Sequence, residues 1–587
     1  MEDKKDALTL KEQLRALHFI LKFMRSERVA FMLAILMSLA AAVLSTLAPF
    51  VIRDFMDNHL VQDNTTMRTV YFFAVVYIIV TLFRALFSFG QFFVYQQATF
   101  KVLAEIRLAL YKKIHTLGMH YFDQTPTGRL ITRITNDTNL FDFYFVFLMI
   151  AGGVFSVISA YIALFMLDSE NALVMLVFLP LILLAVYLYQ YFSSRIYRQM
   201  RAKLSELNTK LNEYISGMRI IQQFRQEKRL QEEFERANDE YFALRQKVVR
   251  TNALLLNSLV NFLLAIATIT ALGIFGVTSF DSMVAAGVVY AFIMNLQAFF
   301  NPIGQMMDFL SIFSDGLVAS HRIQQIMNEE STAPMQNEQA SESIEYGKIE
   351  FRNVSFSYDG EREVLKNISF VIEPGETLAF VGHTGSGKSS IINIFMRFYE
   401  FQKGKILIDD KDIREYPIEE LRKQIGLVLQ DAFLFVGDIN SNIRLMNEKI
   451  TNVQIEEAAR FTQAHHFIER LEGQYEAKVI ENGESFSSGE RQLLNFARTI
   501  VTNPKILVLD EATANVDTET ENLIQTGLGN MREGRTTIAI AHRLSTIKDA
   551  DKILVLDKGE IVEEGNHERL MEKDGYYAEM YRLQSEK

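Results

Sequence analysis

Residues 378–395 read LAFVGHTGSGKSSIINIF, which is an apolar strand pattern, a glycine-rich turn and an apolar helix pattern. Residues 382–389, called the phosphate loop, match every fixed position of the phosphate-binding motif G-x-x-x-x-G-K-[ST]. The glycines would let backbone N–H groups wrap phosphates, and Lys388 would neutralise the β and γ charges. The sequence therefore predicts a site for a nucleoside triphosphate and Mg²⁺. Its predicted binding residues are Gly382, Thr384, Gly385, Ser386, Gly387, Lys388, Ser389 and Ser390.

A second element of this site ends in two carboxylates. Residues 506–511 read ILVLDE, and four consecutive apolar residues are typical of a central parallel strand. Ligands bind such sheets at the carboxyl ends of their strands. Asp510 would hold magnesium there together with the Ser389 hydroxyl, and Glu511 would polarise the attacking water. Together with the phosphate loop, this element predicts an α/β domain that hydrolyses ATP.

Composition divides the chain into an apolar part and a mixed part. The chain has 587 residues, which is too long for one core, because single cores stop growing at roughly 250 to 300 residues. Its formal net charge of −11 argues against a nucleic-acid partner, whose phosphates favour a basic surface. The sequence has no cysteine, which excludes a disulfide framework and thiolate metal sites.

Six apolar segments are long enough to cross a membrane, since a helical span needs about 20 residues. They are residues 30–52, 70–95, 143–167, 172–192, 253–277 and 283–300. The loops at 101–140 and 193–252 are long and rich in Lys and Arg, whereas the turns at 167–172 and 277–283 carry neither. The positive-inside tendency places the long loops and both termini in the cytosol. Core helices of a soluble protein are the alternative.

The sequence predicts a multidomain membrane protein with an all-α domain followed by an α/β domain. The predicted membrane domain is residues 1–327, and residues 328–347 are the predicted linker, which is polar, lacks periodicity and carries Pro334. The ATPase domain is predicted at residues 348–587, because the alternating run IEFRNVSFSY marks its first strand. The first 23 residues predict an amphipathic helix on the membrane surface.

Residues 486–492, called the signature segment, read FSSGERQ and resemble the LSGGQ signature of ATP-binding-cassette (ABC) proteins. Other residues of this chain stand at the positions of further ABC motifs, in the same order along the sequence. Tyr358 occupies the place of the aromatic residue that stacks on adenine, and Gln430 that of the Q-loop glutamine, a magnesium ligand. Asp517 stands at the D-loop aspartate and His542 at the switch histidine. The resemblance implies ATP and Mg²⁺ as cofactors, with four catalytic residues: Glu511, His542, Lys388 and Gln430.

Two segments of the membrane part resemble the cytoplasmic loops of ABC exporters. Residues 121–130 read YFDQTPTGRL, and residues 213–224 read EYISGMRIIQQF. Importers of this family carry their membrane helices on separate chains, so six spans fused to one ATPase domain resemble half of an exporter. In that family, each ATP lies between the phosphate loop of one chain and the signature of the other. The resemblance implies a second ABC half-transporter as partner, in the cytoplasmic membrane of a bacterium.

The signature segment departs from the family pattern at three positions. Phe486 replaces leucine, Ser488 replaces glycine and Glu490 replaces glutamine, whereas Ser487 and Gly489 match. Ser488 adds a side chain where backbone approaches phosphate, and Glu490 adds negative charge. An intact catalytic set beside an altered signature resembles the consensus-glutamate subunit of bacterial heterodimeric multidrug exporters. We expect a partner with a consensus signature and a degenerate catalytic glutamate. A homodimer that tolerates the altered signature is the alternative.

The expected substrates are hydrophobic or amphipathic small molecules, and the spans would also contact membrane lipids. A lipid or peptide exporter and an ATP-gated channel or sensor stay open as alternatives, because no recognition motif separates them. Intramembrane charges usually face protein or a water-filled cavity, and aromatic side chains line apolar cavities. The candidate cavity residues are Arg84, Phe292, Phe299 and Asp308. Structural pairing of Arg84 and packing of the phenylalanines are the alternatives.

Overall fold

A computed structural model describes residues 8–61, 65–281, 283–340, 342–430, 432–445, 447–480, 483–510, 518–540 and 548–585. The chain divides into two compact units. Unit 1 comprises Met1–His115 and Gly128–Asn328, and unit 2 comprises Thr116–Thr127 and Glu329–Lys587. Thr116–Thr127, called the loop tip, therefore groups with the C-terminal part of the chain rather than with the helices on either side of it.

Unit 1 is helical, and six of its helical runs are long and apolar enough to cross a membrane. These runs are Arg28–Leu60, Met67–Ile114, Thr127–Leu167, Ser169–Ser216, Glu227–Phe280 and Ala286–Met306. They confirm the six predicted spans. The helices up to residue 327 are α1 (Leu10–Phe23), α2 (Arg28–Phe55), α3 (Met67–Ile114), α4 (Met119–Gln124, in the loop tip), α5 (Thr127–Thr132), α6 (Phe141–Leu167), α7 (Ser169–Met175), α8 (Phe178–Ser216), α9 (Met218–Gln223), α10 (Glu227–Thr251), α11 (Ser258–Asp281) and α12 (Ala286–Met327).

The packing face of α2 shows how these helices approach one another. Its buried residues recur every three or four positions and are mostly small: Phe31, Ala34, Ser38, Ala42 and Thr46. Small side chains let helix backbones come close, and polar ones can hydrogen-bond across a helix pair in the apolar medium. The hydroxyls of Thr46 on α2 and Ser159 on α6 share such a bond of 2.8 Å.

The C-terminal part of unit 2 alternates strands and helices. Its strands are β1 (Ile349–Phe356), β2 (Leu365–Ile372), β3 (Thr377–Val381), β4 (Lys403–Ile408), β5 (Lys411–Asp412), β6 (Ile425–Val428), β7 (Gly437–Asp438), β8 (Lys478–Val479), β9 (Ile506–Asp510), β10 (Thr536–Ile540), β11 (Lys552–Asp557) and β12 (Glu560–Gly565). Its helices are α13 (Lys388–Phe395), α14 (Ile418–Gln424), α15 (Ile439–Arg444), α16 (Asn452–Phe461), α17 (His465–Ile468), α18 (Ser488–Ile500), α19 (Thr518–Arg532), α20 (His567–Glu572) and α21 (Tyr576–Ser585).

Two main sheets build this domain. The larger one has the strand order β12-β11-β3-β10-β9-β6, with β12 antiparallel to β11 and the other neighbours parallel. The smaller one is antiparallel, with the order β2-β1-β4-β5. Strand β3 is fully buried, as its uninterrupted apolar pattern indicates. Because β3, β10, β9 and β6 are parallel neighbours, their carboxyl ends meet at one edge, where ligands bind such sheets.

The described residues of the predicted linker are tied to unit 2 although they form no helix. The Asp409 carboxylate accepts hydrogen bonds of 2.8 to 3.0 Å from four consecutive backbone N–H groups, those of Glu345, Tyr346, Gly347 and Lys348. Further upstream, the Gln336 side chain donates to the backbone oxygens of Ile413 and Tyr416. This segment is therefore held by specific bonds along its length.

Candidate nucleotide site

The phosphate loop joins the carboxyl end of β3 to the first turn of α13. Gly387 caps this helix with φ +109°, a left-handed conformation that favours glycine. The loop therefore turns sharply into the helix, and the helix N-terminus, which attracts anions, lies beside it. Ser389 is exposed in the first turn of α13, where its hydroxyl is accessible to a ligand.

Lys388 is buried under the loop, with 5% of its surface exposed. Its ammonium donates to the backbone oxygens of Gly382 at 2.6 Å and His383 at 3.1 Å. These two bonds hold the side chain across the loop, so its positive charge lies beside the N–H groups that the motif uses for phosphate. The role of Lys388 in binding phosphate stays a prediction.

Tyr358 lies just beyond β1 and is oriented by helix α13. Its hydroxyl forms hydrogen bonds of 3.0 Å with the Ser390 hydroxyl and the Asn393 amide. Its ring packs edge-on against Phe356, with centroids 4.6 Å apart. Because the side chain remains 37% exposed, part of it is accessible, as base stacking requires.

The turn after Tyr358 is fixed by Asp359. Its carboxylate accepts hydrogen bonds from the Arg362 N–H, the Ser357 hydroxyl and the Glu361 N–H, and these bonds lower the pKa of Asp359 to about 2. The side chain is therefore anionic at neutral pH and keeps the turn closed. Beside this turn and the phosphate loop lies a cavity of about 1050 Å³, whose lining includes Ser357, Gly360, Arg362, Gly385, Lys403 and Lys558.

Two of the predicted magnesium ligands lie at the carboxyl edge of the larger sheet. Asp510 ends β9, and Gln430 follows the end of β6 by two residues. Strands β6 and β9 are paired in parallel, with Val428 opposite Leu509. Strand β10 places Ile540 opposite Asp510 on one side and opposite Phe380 of β3 on the other. The backbone thus brings both side chains to the edge that bears the phosphate loop. Glu511, Asp517 and His542 lie outside the described residues.

The signature segment begins helix α18 with a reciprocal cap. The Ser487 hydroxyl accepts the Glu490 N–H at 3.2 Å, and the Glu490 carboxylate accepts the Ser487 N–H at 2.8 Å. Phe486 is buried, so its replacement of leucine preserves an apolar contact. The spacing S-x-x-E is a capping-box signal that is present in the sequence itself.

Comparison with known families decides the identity of both parts. Residues 31–303 match the family described as ABC transporter transmembrane region, and residues 365–514 match the family described as ABC transporter. This chain belongs to the ABC transporter family. It is an exporter half with a transmembrane domain fused to an ATPase domain, and ATP hydrolysis in this domain is coupled to transport. It is a multi-pass membrane protein and functions as a dimer with a partner half-transporter.

Three relatives show the range of this family. The ABC transporter ATP-binding protein exp8 of Streptococcus pneumoniae is 42% identical and covers 98% of both chains. The multidrug resistance-like ATP-binding protein MdlB of Buchnera aphidicola is 34% identical over 94% of this ABC transporter and 95% of the relative. An ATP-dependent lipid A-core flippase of Syntrophus aciditrophicus is 33% identical over 96% and 94% of the two chains.

The two segments that resemble the cytoplasmic loops of ABC exporters fall into different units. The loop tip, which carries α4, belongs to unit 2, and there the Tyr399 hydroxyl donates to the Asp123 carboxylate. Helix α9 of the second loop belongs to unit 1 and leaves Ile220 and the following Phe224 more than 60% exposed. The sequence predicts both segments, but it does not predict the contact between Tyr399 and Asp123. The two residues lie 276 positions apart, and the periodic patterns of helices and strands relate only residues that are close in sequence.

The structure describes the side chains of three of the four candidate cavity residues. Phe292 and Phe299 are 0% and 4% exposed, because Phe292 packs edge-on against Phe275 and Phe299 packs edge-on against Phe300. Both rings are therefore packed against neighbouring aromatic residues, and their contact with a substrate stays a prediction. Arg84 lies on an exposed face of α3 and forms no salt bridge with the described residues. The Asp308 side chain lies outside the described residues.

Replacing Tyr358 by alanine should raise the Kd for ATP about tenfold, because stacking on a base contributes about 1–3 kcal/mol. Turnover at saturating ATP should stay nearly unchanged, since stacking contributes equally before and during the reaction. Titration with a fluorescent ATP analogue and steady-state kinetics measure the two quantities. Tyr358→Phe, which keeps the ring, is the matched control and should bind ATP almost normally. A large fall in turnover with unchanged affinity would contradict the assignment.

Proposed function

We propose that this chain is the catalytically complete half of a heterodimeric multidrug-type exporter in the cytoplasmic membrane of a bacterium. Its partner would be a similar but distinct half-transporter with a consensus signature and no catalytic glutamate. The observation that supports the proposal is that the signature segment is altered, whereas the phosphate loop of the same chain matches its motif completely. The segment folds normally as a helix cap, yet it places a carboxylate where the family has an amide.

The charge of Glu490 is the physical reason for asymmetry. Its carboxylate is held at the start of α18 by the Ser487 N–H and cannot rotate away without breaking the cap. In this family that helix end faces the γ-phosphate of the ATP on the partner chain. A negative charge there repels phosphate, and Ser488 adds a side chain at the same end. The composite site that uses this signature should therefore hold nucleotide without efficient turnover.

The competent site would use residues of this chain on the phosphates. Lys388 would neutralise the β and γ phosphates, and Glu511 would orient the attacking water together with His542. Three oxygen donors at the same sheet edge fit a hard cation such as Mg²⁺: Ser389, Gln430 and Asp510. Bound there, Mg²⁺ would stabilise charge on the phosphate oxygens.

A dimer is also favoured by the second cytoplasmic loop. Ile215, Met218, Ile220 and Phe224 around α9 are between 41% and 65% exposed. Such an apolar cluster on a cytoplasmic loop fits a protein surface better than water. We infer that the ATPase domain of the partner chain covers it. Truncating Ile220 and Phe224 to alanine should weaken assembly while leaving nucleotide binding to this chain intact.

The substrate class is inferred from the relatives and from the lack of a dedicated recognition element. One relative carries a multidrug resistance-like name, and another is named a lipid A-core flippase. We favour amphipathic drugs as the substrates, and lipids are the second candidate. The complex should be purified with the product of an adjacent similar gene, and its ATPase activity measured against a panel of dyes and lipids. Stimulation by dyes supports multidrug export, and stimulation by lipids alone refutes it.

Restoring the family residues at positions 488 and 490 should improve only the degenerate site. We expect Ser488→Gly with Glu490→Gln to tighten nucleotide retention there up to about fivefold, since exposed charge interactions contribute about 0.2–1 kcal/mol. Glutamine can keep the capping box, so the helix should remain intact. Total ATP turnover should hardly change, because the partner would still lack its glutamate. Nucleotide occlusion assays measure retention, and a severalfold gain in turnover would contradict the asymmetric scheme.

A further inference from the structure

Three aromatic rings connect the proposed adenine platform to the segment that follows α13. The ring of Tyr399 meets that of Tyr358 at 88°, with centroids 4.9 Å apart. Phe356 packs against both, with centroids 4.6 Å from Tyr358 and 5.9 Å from Tyr399. Edge-to-face pairs of this kind are stabilising and have a defined geometry. The orientation of Tyr358 therefore depends on the position of Tyr399.

Tyr399 is in turn held by the loop tip. Its hydroxyl donates to the Asp123 carboxylate of α4, and the His120 ring of the same helix packs edge-on against it at 6.1 Å. Tyr399 is 8% exposed, and burial raises its pKa well above the usual value, with the hydrogen bond to Asp123 adding to the effect. The hydroxyl thus remains protonated and able to donate at physiological pH. A hydrogen bond to a charged acceptor is among the stronger ones in proteins.

Arg397, two residues before Tyr399, is bonded to the predicted linker, which is the other connection to the membrane domain. Arg397 is 2% exposed, and its guanidinium donates to the Gln336 side chain at 2.7 Å and to the Met335 backbone oxygen at 3.1 Å. The predicted linker also pairs with the loop tip, where the Gly118 N–H donates to the Ser331 oxygen at 2.9 Å. The short segment after α13 that carries Arg397 and Tyr399 therefore contacts both the predicted linker and the loop tip. These are the two stretches of chain that connect unit 2 to the membrane helices.

We propose that Tyr399 is a positioning residue that links occupancy of the adenine site to docking of the loop tip. The inference rests on the proposed ATP site at Tyr358. With its hydroxyl bound to Asp123, Tyr399 keeps Tyr358 preorganised for stacking, so less ordering is needed when the base arrives. Linkage makes the effect reciprocal: a base stacked on Tyr358 stabilises the Tyr399–Asp123 bond and with it the docked loop tip. Only a ligand that carries a base can stack on Tyr358 and act on Tyr399 in this way.

The test is a double-mutant cycle on the full transporter, assembled with its partner in lipid nanodiscs. Tyr399→Phe removes only the hydroxyl, and Asp123→Ala removes the carboxylate that accepts its hydrogen bond. We expect each to raise the Kd for Mg-ATPγS about five- to tenfold, which is the lower end of the range of coupling between two sites. The double variant should bind no more weakly than the weaker single variant, because both changes break one bond. Binding of Mg-tripolyphosphate, which has no base, should stay unchanged in all three.

Hydrogen exchange of residues 116–127 supplies a second readout. In the parent protein, Mg-ATPγS should slow exchange in this loop tip, and in Tyr399→Phe the slowing should be largely lost even at saturating nucleotide. Tyr577→Phe is the matched control, since Tyr577 is also buried and its hydroxyl bonds to His567 at 2.8 Å. It should behave like the parent in every assay.

Three results would overturn the inference: unchanged affinity for Mg-ATPγS in both single variants, fully additive effects in the double variant, or an equal loss of tripolyphosphate binding. The last would mean general damage to the domain. A parent protein that fails to bind Mg-ATPγS would instead refute the ATP site itself. The two proposals therefore fail in different ways.

Discussion

Replacing Glu511 by glutamine should lower the ATP turnover of the whole complex by about a hundredfold or more, because positioned general bases contribute about 10²–10⁴-fold. In the sequence the residue directly follows Asp510, and Asp510 ends β9. The amide keeps the size of the side chain but cannot accept a proton from water. ATP binding should persist, since the carboxylate acts on the water rather than on the nucleotide. Release of phosphate from radiolabelled ATP measures the turnover.

The same variant should trap the two ATPase domains in their closed arrangement. ATP favours closure, and hydrolysis removes the contacts that hold it, so blocked hydrolysis leaves the closed state populated. Cross-linking between the domains with and without ATP detects this. Glu568→Gln, which changes an exposed residue of α20, is the matched control and should turn over ATP normally. A Glu511→Gln complex that retains half or more of its turnover would show that this chain does not supply the hydrolytic site.

Features that depend on neighbouring residues could be predicted from the sequence. The phosphate loop, the buried strand that ends at Asp510 and the six spans all follow from short patterns whose physical cause is local. Apolar length determines whether a helix can cross a membrane, and glycine spacing determines whether a loop can wrap phosphate. The structure and the family comparison confirm the fold class for this reason. The exact domain limits and the individual site residues remain predictions.

Features that depend on contacts between distant segments could not be predicted. The composition of the sixth span suggested that Phe292 and Phe299 line a cavity, but an apolar ring fits a helix interface as well as it fits a cavity. The structure adds what the sequence cannot give, which is that the two rings pack against Phe275 and Phe300. Similarly, no property of Tyr399 or Asp123 alone indicates that the two meet. Sequence patterns identify residues capable of a contact, and tertiary structure selects the partner.

Replacing Lys388 by alanine should abolish ATP turnover at this chain's site, with an expected loss of about a hundredfold or more, in line with other groups that stabilise transferring phosphates. Unlike Glu511→Gln, this change should also weaken nucleotide binding, because the ammonium interacts with the phosphates before and during the reaction. The complex should therefore not be trapped closed by ATP at this site. Photolabelling with an azido-ATP analogue measures binding by each chain separately, and phosphate release measures turnover.

Lys388 is buried and bonded to two loop carbonyls, so alanine could act by disordering the loop rather than by removing charge. Lys388→Met separates the two causes, because the methionine side chain occupies the buried space of the lysine but carries no charge. We expect both variants to lose turnover alike, while Lys573→Ala, at an exposed position after α20, stays fully active. A methionine variant that hydrolyses ATP normally would show that the charge is dispensable. In that case the phosphates would have to be neutralised by another cation, and the assignment of Lys388 would fail.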